Sequence, residues 1–418
     1  MTVDTCVSLK LVCFNVSARS NDAPLIANGT AFPWTTAHFG INLSKEVPLL
    51  FKILFLHLLY FSAYIFRLIF QPQQMFFDHA SMESTARQLT KRFSASDSIW
   101  CYTLGKPHMC YHLPGNESVE GSSFGADVFN YLKPLGLLNQ RDRYIVPSYF
   151  LRNHSPVFLT AANSVYYRPS LMAIRSLQEH FPFQKIIFYD LGLSRAQASH
   201  IDRLCNVERV VFPFGEYPDY VRNLKEYRWK PIIIAKTLVD HGALWYLDSS
   251  VTFRTSNLSF VYRLLHPPPG QKGKIEQKFS IILHASTGHG IYSATSPEVY
   301  KYIPADFEKL KSASAMMYQA GLLLAFRTKE AVENIMLWYV ACALEKGCMG
   351  PEDANSFCQF RDKERLMYAD CHRYDQSVLN LLLANRLNYD HEQWTSGIDS
   401  FCRIERHQVN DTHPPFEC

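Results

Sequence analysis

The sequence predicts an α/β fold in which helices flank a mostly parallel sheet, preceded by a transmembrane anchor and a stem. Two observations carry this prediction. From Pro156 onward, short apolar runs alternate with helical segments of about a dozen residues, which is the pattern of β-α-β units. Before them, residues 47–70 form a long apolar run. The 418 residues, 47% of them hydrophobic, are ample for one large core.

Four apolar runs are predicted to be parallel strands, with helices between them. We expect the strands at 157–162, 185–192, 207–214 and 243–250, and the helices at 169–181, 194–205 and 230–242. Parallel sheets of this kind are covered by helices on both faces, and their ligands bind beyond the carboxyl ends of the strands. The residues that follow each strand are therefore the first candidates for a site.

The apolar run VPLLFKILFLHLLYFSAYIFRLIF, residues 47–70, is interpreted as a signal anchor. Crossing a bilayer requires about 20 apolar residues, and the run reaches that length if Lys52 and Arg67 extend toward the two membrane surfaces. A buried helix is the alternative, because the uncharged centre is short. Around the anchor we expect a tail at 1–46, a stem with a small N-terminal subdomain at 71–155, the main domain at 156–400 and a cysteine-containing tail at 401–418.

Cysteines and glycosylation sequons after the anchor indicate an oxidising lumen. Nine of the 11 cysteines follow residue 70, and disulfides are their expected use. The six from Cys342 to Cys418 are expected to form at least two bridges, and the odd total leaves at least one thiol unpaired. Four Asn-x-Ser/Thr sequons lie on the same side, at Asn116, Asn153, Asn257 and Asn410. We therefore expect a single-pass membrane protein of the Golgi or endoplasmic reticulum with a lumenal C-terminal domain.

Composition and missing motifs exclude several functions. The net charge of +4 comes from 42 basic and 38 acidic residues without a basic block, so nucleic acid is not an expected partner. The first predicted strand is followed by NSVYYRPS, not by Gly-x-Gly-x-x-Gly, and the chain contains no P-loop. The common dinucleotide and P-loop sites are therefore disfavoured.

Asp248 ends the apolar run ALWYL and is followed by two serines. A carboxylate at the carboxyl end of a parallel strand can bind a divalent cation or a ribose hydroxyl. An aspartate that only caps a turn is the alternative.

Five motifs occur in order along residues 156–394. They are VFLTAANSVYYRPSLMAIRSLQ, YRWKPIIIAKTLVDHGALWYLDSSVTF, HGIYSATSPEVY, MYQAGLLLAFR and HRYDQSVLNLLLAN. This series resembles GT-A-fold nucleotide-sugar glycosyltransferases, and more closely a nematode-expanded family classed as a domain of unknown function. The resemblance implies a GT-A-like (Rossmann-like) glycosyltransferase domain at 156–400 that takes a sugar from a nucleotide sugar, with UDP-sugar as the expected donor.

In enzymes that resemble glycogenin and the lipopolysaccharide galactosyltransferases, a strand ends in Asp-x-Asp, which holds Mn²⁺ against the donor diphosphate. By this resemblance Asp248 is the first carboxylate and the metal ligand, but Ser250 occupies the second position. A hydroxyl replaces a carboxylate poorly as a ligand of Mn²⁺ or Mg²⁺. Either a metal is held weakly, or protein cations meet the diphosphate charge.

The segment RWKPIIIAK supplies such cations. Arg228 and Lys230 flank the predicted start of a helix, with Pro231 in its first turn, and helix N-termini suit phosphate. Lys236 matches by motif a donor-contacting lysine of the glycogenin-like enzymes. A solvated helix face is the alternative for each base.

The resemblance also assigns the remaining contacts. Thr160, Asn163 and Tyr166 would bind the nucleotide, with turn chemistry for Asn163 and core packing for Tyr166 as alternatives. Gln319, Gly321 and His289 would line the acceptor site, with close backbone packing as the alternative for Gly321. His284 and His289 flank a glycine-rich segment expected to be a loop that closes over a ligand, and a merely exposed histidine is the alternative. Asp375 and Gln376 would face the anomeric carbon as the catalytic pair, while Asp375 is also a candidate helix N-cap.

We therefore expect transfer of a sugar from a nucleotide sugar to a hydroxyl of a glycan, glycoprotein or lipid acceptor. Two alternatives remain open at this point. Ser250 favours a degenerate binding or scaffold protein on the same fold, which would bind the nucleotide without turnover. Another α/β enzyme, such as a lumenal methyltransferase or oxidoreductase, is disfavoured by the missing glycine motifs.

Overall fold

A computed structural model describes residues 99–103, 106–138, 143–265, 278–361, 367–404 and 414–418. The predicted anchor at 47–70, the tail before it, and the sequon at Asn410 lie outside these residues. Within the described part of the chain, no helix has the length and apolar character needed to span a membrane.

The described residues form fourteen strands and twelve α-helices. Strands β1 to β14 span Trp100–Thr103, Lys106–Met109, His112–Leu113, Asn116–Glu120, Val157–Ala162, Ile186–Asp190, Val207–Val211, Ala243–Leu247, Val251–Phe253, Ile281–Leu283, Ser286–Gly290, Met316–Tyr318, Leu322–Phe326 and Cys402–Ile404. Helices α1 to α12 span Ala126–Leu132, Pro147–Asn153, Tyr167–His180, Arg195–Ile201, Trp229–His241, Ser259–Leu265, Val299–Tyr302, Phe307–Leu310, Lys329–Ala331, Leu337–Ala343, Lys346–Met349 and Asp375–Arg386.

The central sheet has six strands in the order β10, β13, β8, β5, β6, β7. The four strands predicted from the sequence, β5 to β8, pair in parallel, and the three predicted helices lie between them. Strand β13 pairs antiparallel with β8, and β10 pairs antiparallel with β13. The sheet is therefore mixed, with a parallel half that the sequence predicted and an antiparallel edge.

Alternating side chains of these strands divide the core into two layers. On β8, Leu244 and Tyr246 face the layer that contains α5, α10 and α12. Their neighbours Trp245 and Leu247 face the layer that contains α3, α4 and α6. Both faces are covered, so every residue of β5, β6 and β8 is buried. This explains the unbroken apolar runs in the sequence.

The segment before the sheet packs against the same core. Strands β1 to β4 form two antiparallel hairpins, and Tyr111 between them meets Trp338 edge to face at 5.2 Å between ring centroids. Its hydroxyl also accepts a hydrogen bond from Asn385 of α12 at 3.3 Å. The described residues of 99–155 therefore share their buried side chains with the helices of the larger core.

Eight of the nine described cysteines are paired. The bridges are Cys101–Cys110, Cys205–Cys418, Cys342–Cys348 and Cys358–Cys371. Two lie entirely within 342–418, as expected from the sequence, and Cys402 is the one free thiol in the described part of the chain. The bridge to Cys418 fastens the C-terminus next to α4, where Arg203 also donates a hydrogen bond to Glu417 at 2.9 Å.

The Cys205–Cys418 bridge is expected to be a major source of stability, because it closes a loop of 213 residues. Chain entropy assigns such a closure about 5 kcal/mol. We predict that Cys418→Ser lowers the free energy of unfolding by an amount of this order, measured by urea titration. Cys402→Ser, which removes a thiol that forms no bridge, is the matched control. Equal stability of the two variants would contradict the prediction.

Candidate functional site

Strands of both directions bring the predicted site residues to one edge of the sheet. Strands β5 and β8 are parallel neighbours, so Asn163 and Asp248 follow them at the same edge. Strand β13 begins there too, because Leu322 pairs with Leu247, and the Asp248 N–H donates a hydrogen bond to the Gly321 carbonyl at 2.7 Å. The nucleotide and acceptor segments proposed from the sequence therefore meet at Asp248.

Lys230 links two of the predicted carboxylates. Its Nζ lies 3.2 Å from Oδ1 of Asp248 and 2.7 Å from Oδ2 of Asp375. Helix α5 runs back along the sheet toward the start of β8, which places Lys230 in its first turn at the carboxyl edge. The lysine side chain is 2% exposed and that of Asp375 is 6% exposed, whereas the Asp248 side chain is 35% exposed. The cluster is thus buried on one side and open at Asp248.

The charges of this cluster depend on one another. Burial alone would lower the pKa of the Lys230 ammonium, but Asp248 and Asp375 outweigh it and raise that pKa above its usual value. Burial raises the pKa of the Asp375 carboxyl, although the Lys230 ammonium opposes the shift. Lys230 therefore remains charged at neutral pH, and its charge is what permits a carboxylate at Asp375.

Tyrosines surround the cluster and supply no competing charge. The Tyr246 hydroxyl donates a hydrogen bond to Oδ1 of Asp248 at 2.6 Å. Burial, together with the nearby Asp248 and Asp375, raises the pKa of Tyr246 and of Tyr339 well above the usual value. The Lys230 ammonium also lies 5.0 and 5.1 Å from the ring centroids of Tyr246 and Tyr227, within the range of cation–π attraction.

Gly321 is required by the position of Asp248. A Cβ at residue 321 would lie 2.7 Å from Oδ2 of Asp248, closer than two such atoms can approach. The glycine therefore leaves the second carboxylate oxygen its space at the entrance to the site. Gln319, two residues earlier, is held by a hydrogen bond from its N–H to the Ala285 carbonyl at 2.8 Å.

The structure gives Asp375 a different position from the N-cap suggested by the sequence. Asp375 is the first residue of α12, the cap position is Tyr374 with φ of 47°, and no side chain caps the helix. The carboxylate instead reaches Lys230. Gln376 donates to the sulfur of Met317 at 3.0 Å, so it contacts the strand that leads into the Gly321 turn.

Asn380, which the sequence reasoning did not single out, fixes that strand. Its side chain accepts from the Tyr318 N–H at 2.9 Å and donates to the Tyr318 carbonyl at 2.8 Å. The residue is fully buried on α12. A buried amide must satisfy its hydrogen bonds within the protein. The signal available in the sequence was the asparagine between apolar residues in VLNLLL.

The end of β5 offers one exposed aromatic ring. Asn163 accepts hydrogen bonds from the N–H groups of Val165 and Tyr166 at 3.1 and 3.2 Å, the turn chemistry considered as its alternative role. Tyr166 is 55% exposed, so it does not pack in the core. Thr160 is fully buried, and no described group hydrogen-bonds to its hydroxyl.

Two of the predicted phosphate-binding cations lie elsewhere. Arg228 is fully buried; it pairs with Glu226 and donates to the carbonyls of Ala343, Glu345, Lys346 and Gly350. Its guanidinium therefore anchors the segment after α10 and is not available to a diphosphate. Lys236 is exposed on α5 and pairs with Asp240 at 3.3 Å.

The histidines also differ from expectation. The segment predicted as a closing loop contains β11, which pairs with β12. His289 is buried in this strand with its ring 4.8 Å from that of Phe360. His284 is buried against Trp245 and Phe401 on the opposite layer, and burial lowers its pKa to about 3. His284 is therefore a neutral core residue.

Few groups at the site could hold a metal ion. Asp248 and Ser250 belong to one turn, which is closed by a hydrogen bond from the Val251 N–H to the Asp248 carbonyl at 2.9 Å. Among the described residues, the only groupings of three His, Cys, Asp or Glu ligands are around Cys101, with His108 and Cys110 or with His112 and Glu120. Cys101 and Cys110 form a disulfide, and neither grouping includes Asp248.

Residues 101–235 match a protein-family model described as "Protein of unknown function (DUF1647)". The matched region contains Lys230 and ends within α5, before Asp248. No curated protein matches the chain.

Several solved glycosyltransferase structures are similar to parts of the chain. The galactosyltransferase LgtC, solved with donor and acceptor sugar analogues, is 16% identical over 59% of this chain and 86% of its own, with a TM-score of 0.32. The glycosyltransferase GlyE of Streptococcus pneumoniae TIGR4 is 16% identical over 59% and 46%, with a TM-score of 0.31. The bifunctional glycosyltransferase WbbM is 13% identical over 55% and 37%, with a TM-score of 0.30.

We predict that Lys230→Met destabilises the protein by about 3–5 kcal/mol, because it leaves two carboxylates in the cluster without a counter-charge. Lys236→Met, on the exposed face of the same helix, is the matched control and is expected to have little effect. Adding Asp375→Asn to Lys230→Met should recover part of the loss, since one buried charge disappears. Urea unfolding of the wild type, Lys230→Met, Asp375→Asn and the double variant measures the coupling, and simply additive effects would show that the ion pair is not formed.

Proposed function

We propose that this protein transfers a glycosyl group from a nucleotide sugar, with UDP-sugar as the expected donor, to a hydroxyl acceptor. The observation that carries the proposal is the cluster of Asp248, Lys230 and Asp375 at the carboxyl edge of a mostly parallel sheet. This edge is where open α/β sheets bind ligands. The sequence motifs that resemble GT-A enzymes converge on the same edge.

The nucleotide would lie over the end of β5. The exposed ring of Tyr166 offers a stacking surface for the base, and Asp248 offers a half-exposed carboxylate for ribose hydroxyls. The Lys230 ammonium lies beside that carboxylate and offsets part of the negative charge that the diphosphate would meet there. The sugar would then extend toward Asp375 and Gln376.

The acceptor would enter past the Gly321 turn. Its hydroxyl oxygen forms a bond to the anomeric carbon while the bond from that carbon to the diphosphate oxygen breaks, and the acceptor proton passes to the departing diphosphate. The leaving diphosphate gains negative charge during this step, and a preorganised ammonium stabilises such charge more than flexible solvent does. Asn380 and Gln376 keep the acceptor turn in register with the donor side.

A second candidate function is nucleotide-sugar binding without turnover, as a scaffold on the same fold. Ser250 favours this alternative, because it replaces the second carboxylate of the Asp-x-Asp pattern. Both candidates require donor binding at Asp248. Release of UDP in the presence of acceptor glycans would indicate transfer, whereas binding without UDP release would indicate a scaffold.

The proposed setting is the lumen of the Golgi or endoplasmic reticulum, with the protein held by its predicted anchor. Asn116, Asn153 and Asn257 are exposed, so N-linked glycans would be accommodated at all three sequons. The four disulfides also suit an oxidising compartment.

We predict that the protein expressed in animal cells carries N-glycans at these exposed asparagines. Treatment with peptide N-glycosidase should increase its electrophoretic mobility, and the triple variant Asn116→Gln, Asn153→Gln, Asn257→Gln should lose most of that shift. A protein that migrates at its bare mass and is released by carbonate as a soluble species would rule out both the anchor and the lumenal setting.

We predict that Asp248→Asn weakens UDP-sugar binding by more than about tenfold, which corresponds to about 1.4 kcal/mol, because it removes charge while preserving size. Calorimetric titration measures the affinity, and thermal unfolding of the variant shows whether it folds normally. Asp240→Asn makes the same chemical change on the exposed face of α5, and this variant should bind as the wild type does. Equal binding by both variants would assign Asp248 to turn formation alone.

A further inference from the structure

We propose that this site binds its nucleotide-sugar donor without a divalent metal ion, with the buried ammonium of Lys230 supplying the positive charge beside the diphosphate. This inference rests on the proposed function and concerns the same site. It follows from the ligands available at Asp248, from their existing partners and from the position of Lys230.

The ligand set does not fit Mn²⁺ or Mg²⁺. Both ions require about six ligands, and Mg²⁺ and Mn²⁺ prefer carboxylate oxygens beside phosphate. The sequence offers Asp248 and, in place of a second carboxylate, the neutral hydroxyl of Ser250. Within the described residues, no third His, Cys, Asp or Glu groups with Asp248 at metal-ligand spacing.

One oxygen of each carboxylate is already engaged. Oδ1 of Asp248 receives both the Tyr246 hydroxyl at 2.6 Å and the Lys230 ammonium at 3.2 Å. Asp375, the other carboxylate in reach, directs Oδ2 to the same ammonium at 2.7 Å. Oδ2 of Asp248 lies beside Gly321, and the Asp248 side chain is 35% exposed.

Lys230 already occupies the position between the carboxylates. A cation shared by two carboxylates is the arrangement that a bridging metal would have, and here the shared cation is an ammonium. The ammonium repels a dication at Oδ2 of Asp248 and already offsets one of the two carboxylate charges that would otherwise attract it. The lysine cannot move away, since it would leave Asp375 buried without a partner.

Calorimetric titration of UDP and of UDP-sugars into the full-length protein tests this inference. One sample is stripped of metals and kept in EDTA, and the other contains millimolar Mn²⁺. We expect the two dissociation constants to agree within about threefold, a difference of less than 1 kcal/mol. Affinity that is more than about tenfold higher with Mn²⁺ overturns the inference but leaves the proposed function intact. An absence of binding in both samples overturns the proposed function, and the inference with it.

Ser250→Asp provides a second test in a turn at the surface, where the substitution should not disturb folding. Restoring the second carboxylate should weaken binding in EDTA, because it adds negative charge beside the diphosphate, and should make binding respond to Mn²⁺. Electron paramagnetic resonance of Mn²⁺ with UDP then reports metal capture directly. We expect the signal of the free ion to persist with the wild type and to decrease with Ser250→Asp. Capture by the wild type to the same extent would contradict the inference.

Lys230 itself is tested by comparing Lys230→Gln with Lys230→Arg. Removal of the charge should abolish metal-free binding, whereas arginine should retain part of it. Circular dichroism and thermal unfolding of both variants show whether each is folded. If folded Lys230→Gln binds UDP in EDTA as tightly as the wild type, the ammonium is not the counter-charge and the inference fails.

Discussion

The ion pairing of Lys230 with Asp248 and Asp375 is the constraint on which this site depends. It joins three separate elements, because the lysine lies in the first turn of α5, Asp248 follows β8 and Asp375 begins α12. A buried ammonium is stable only with close counter-charges, and the same holds for the buried carboxylate of Asp375. The fold therefore holds the three elements together at the carboxyl edge of the sheet, where a ligand can reach Asp248.

The surroundings of this cluster increase its electrostatic effect. The rings of Tyr246 and Tyr227 lie against the ammonium, Tyr339 lies near the two carboxylates, and burial keeps the phenols of all three neutral by raising their pKa. In such a medium the interaction between charges is less screened than in water. A single lysine can thus contribute more to the binding of an anion here than an exposed lysine such as Lys236.

The acceptor side is positioned by backbone contacts and not by charge. Asn380 binds both polar groups of the Tyr318 backbone, and the Gly321 carbonyl accepts from the Asp248 N–H. Helix α12 therefore supplies both Asp375 to the charged cluster and Asn380 to the neighbouring turn. This arrangement links the geometry of the donor side to that of the acceptor side through one rigid helix.

Local patterns in the sequence determined the alternation of strands and helices and the location of Asp248 at a strand end, because buried strands are continuous apolar runs. These patterns could not determine which basic side chain forms the ion pair with Asp248. Arg228, Lys230 and Lys236 lie within nine residues, yet one binds backbone carbonyls, one enters the cluster and one faces solvent. Helical rotation of 100° per residue and the packing of α5 against the sheet decide this. Asp375 likewise resembled a cap until tertiary packing placed a buried ammonium 2.7 Å from its carboxylate.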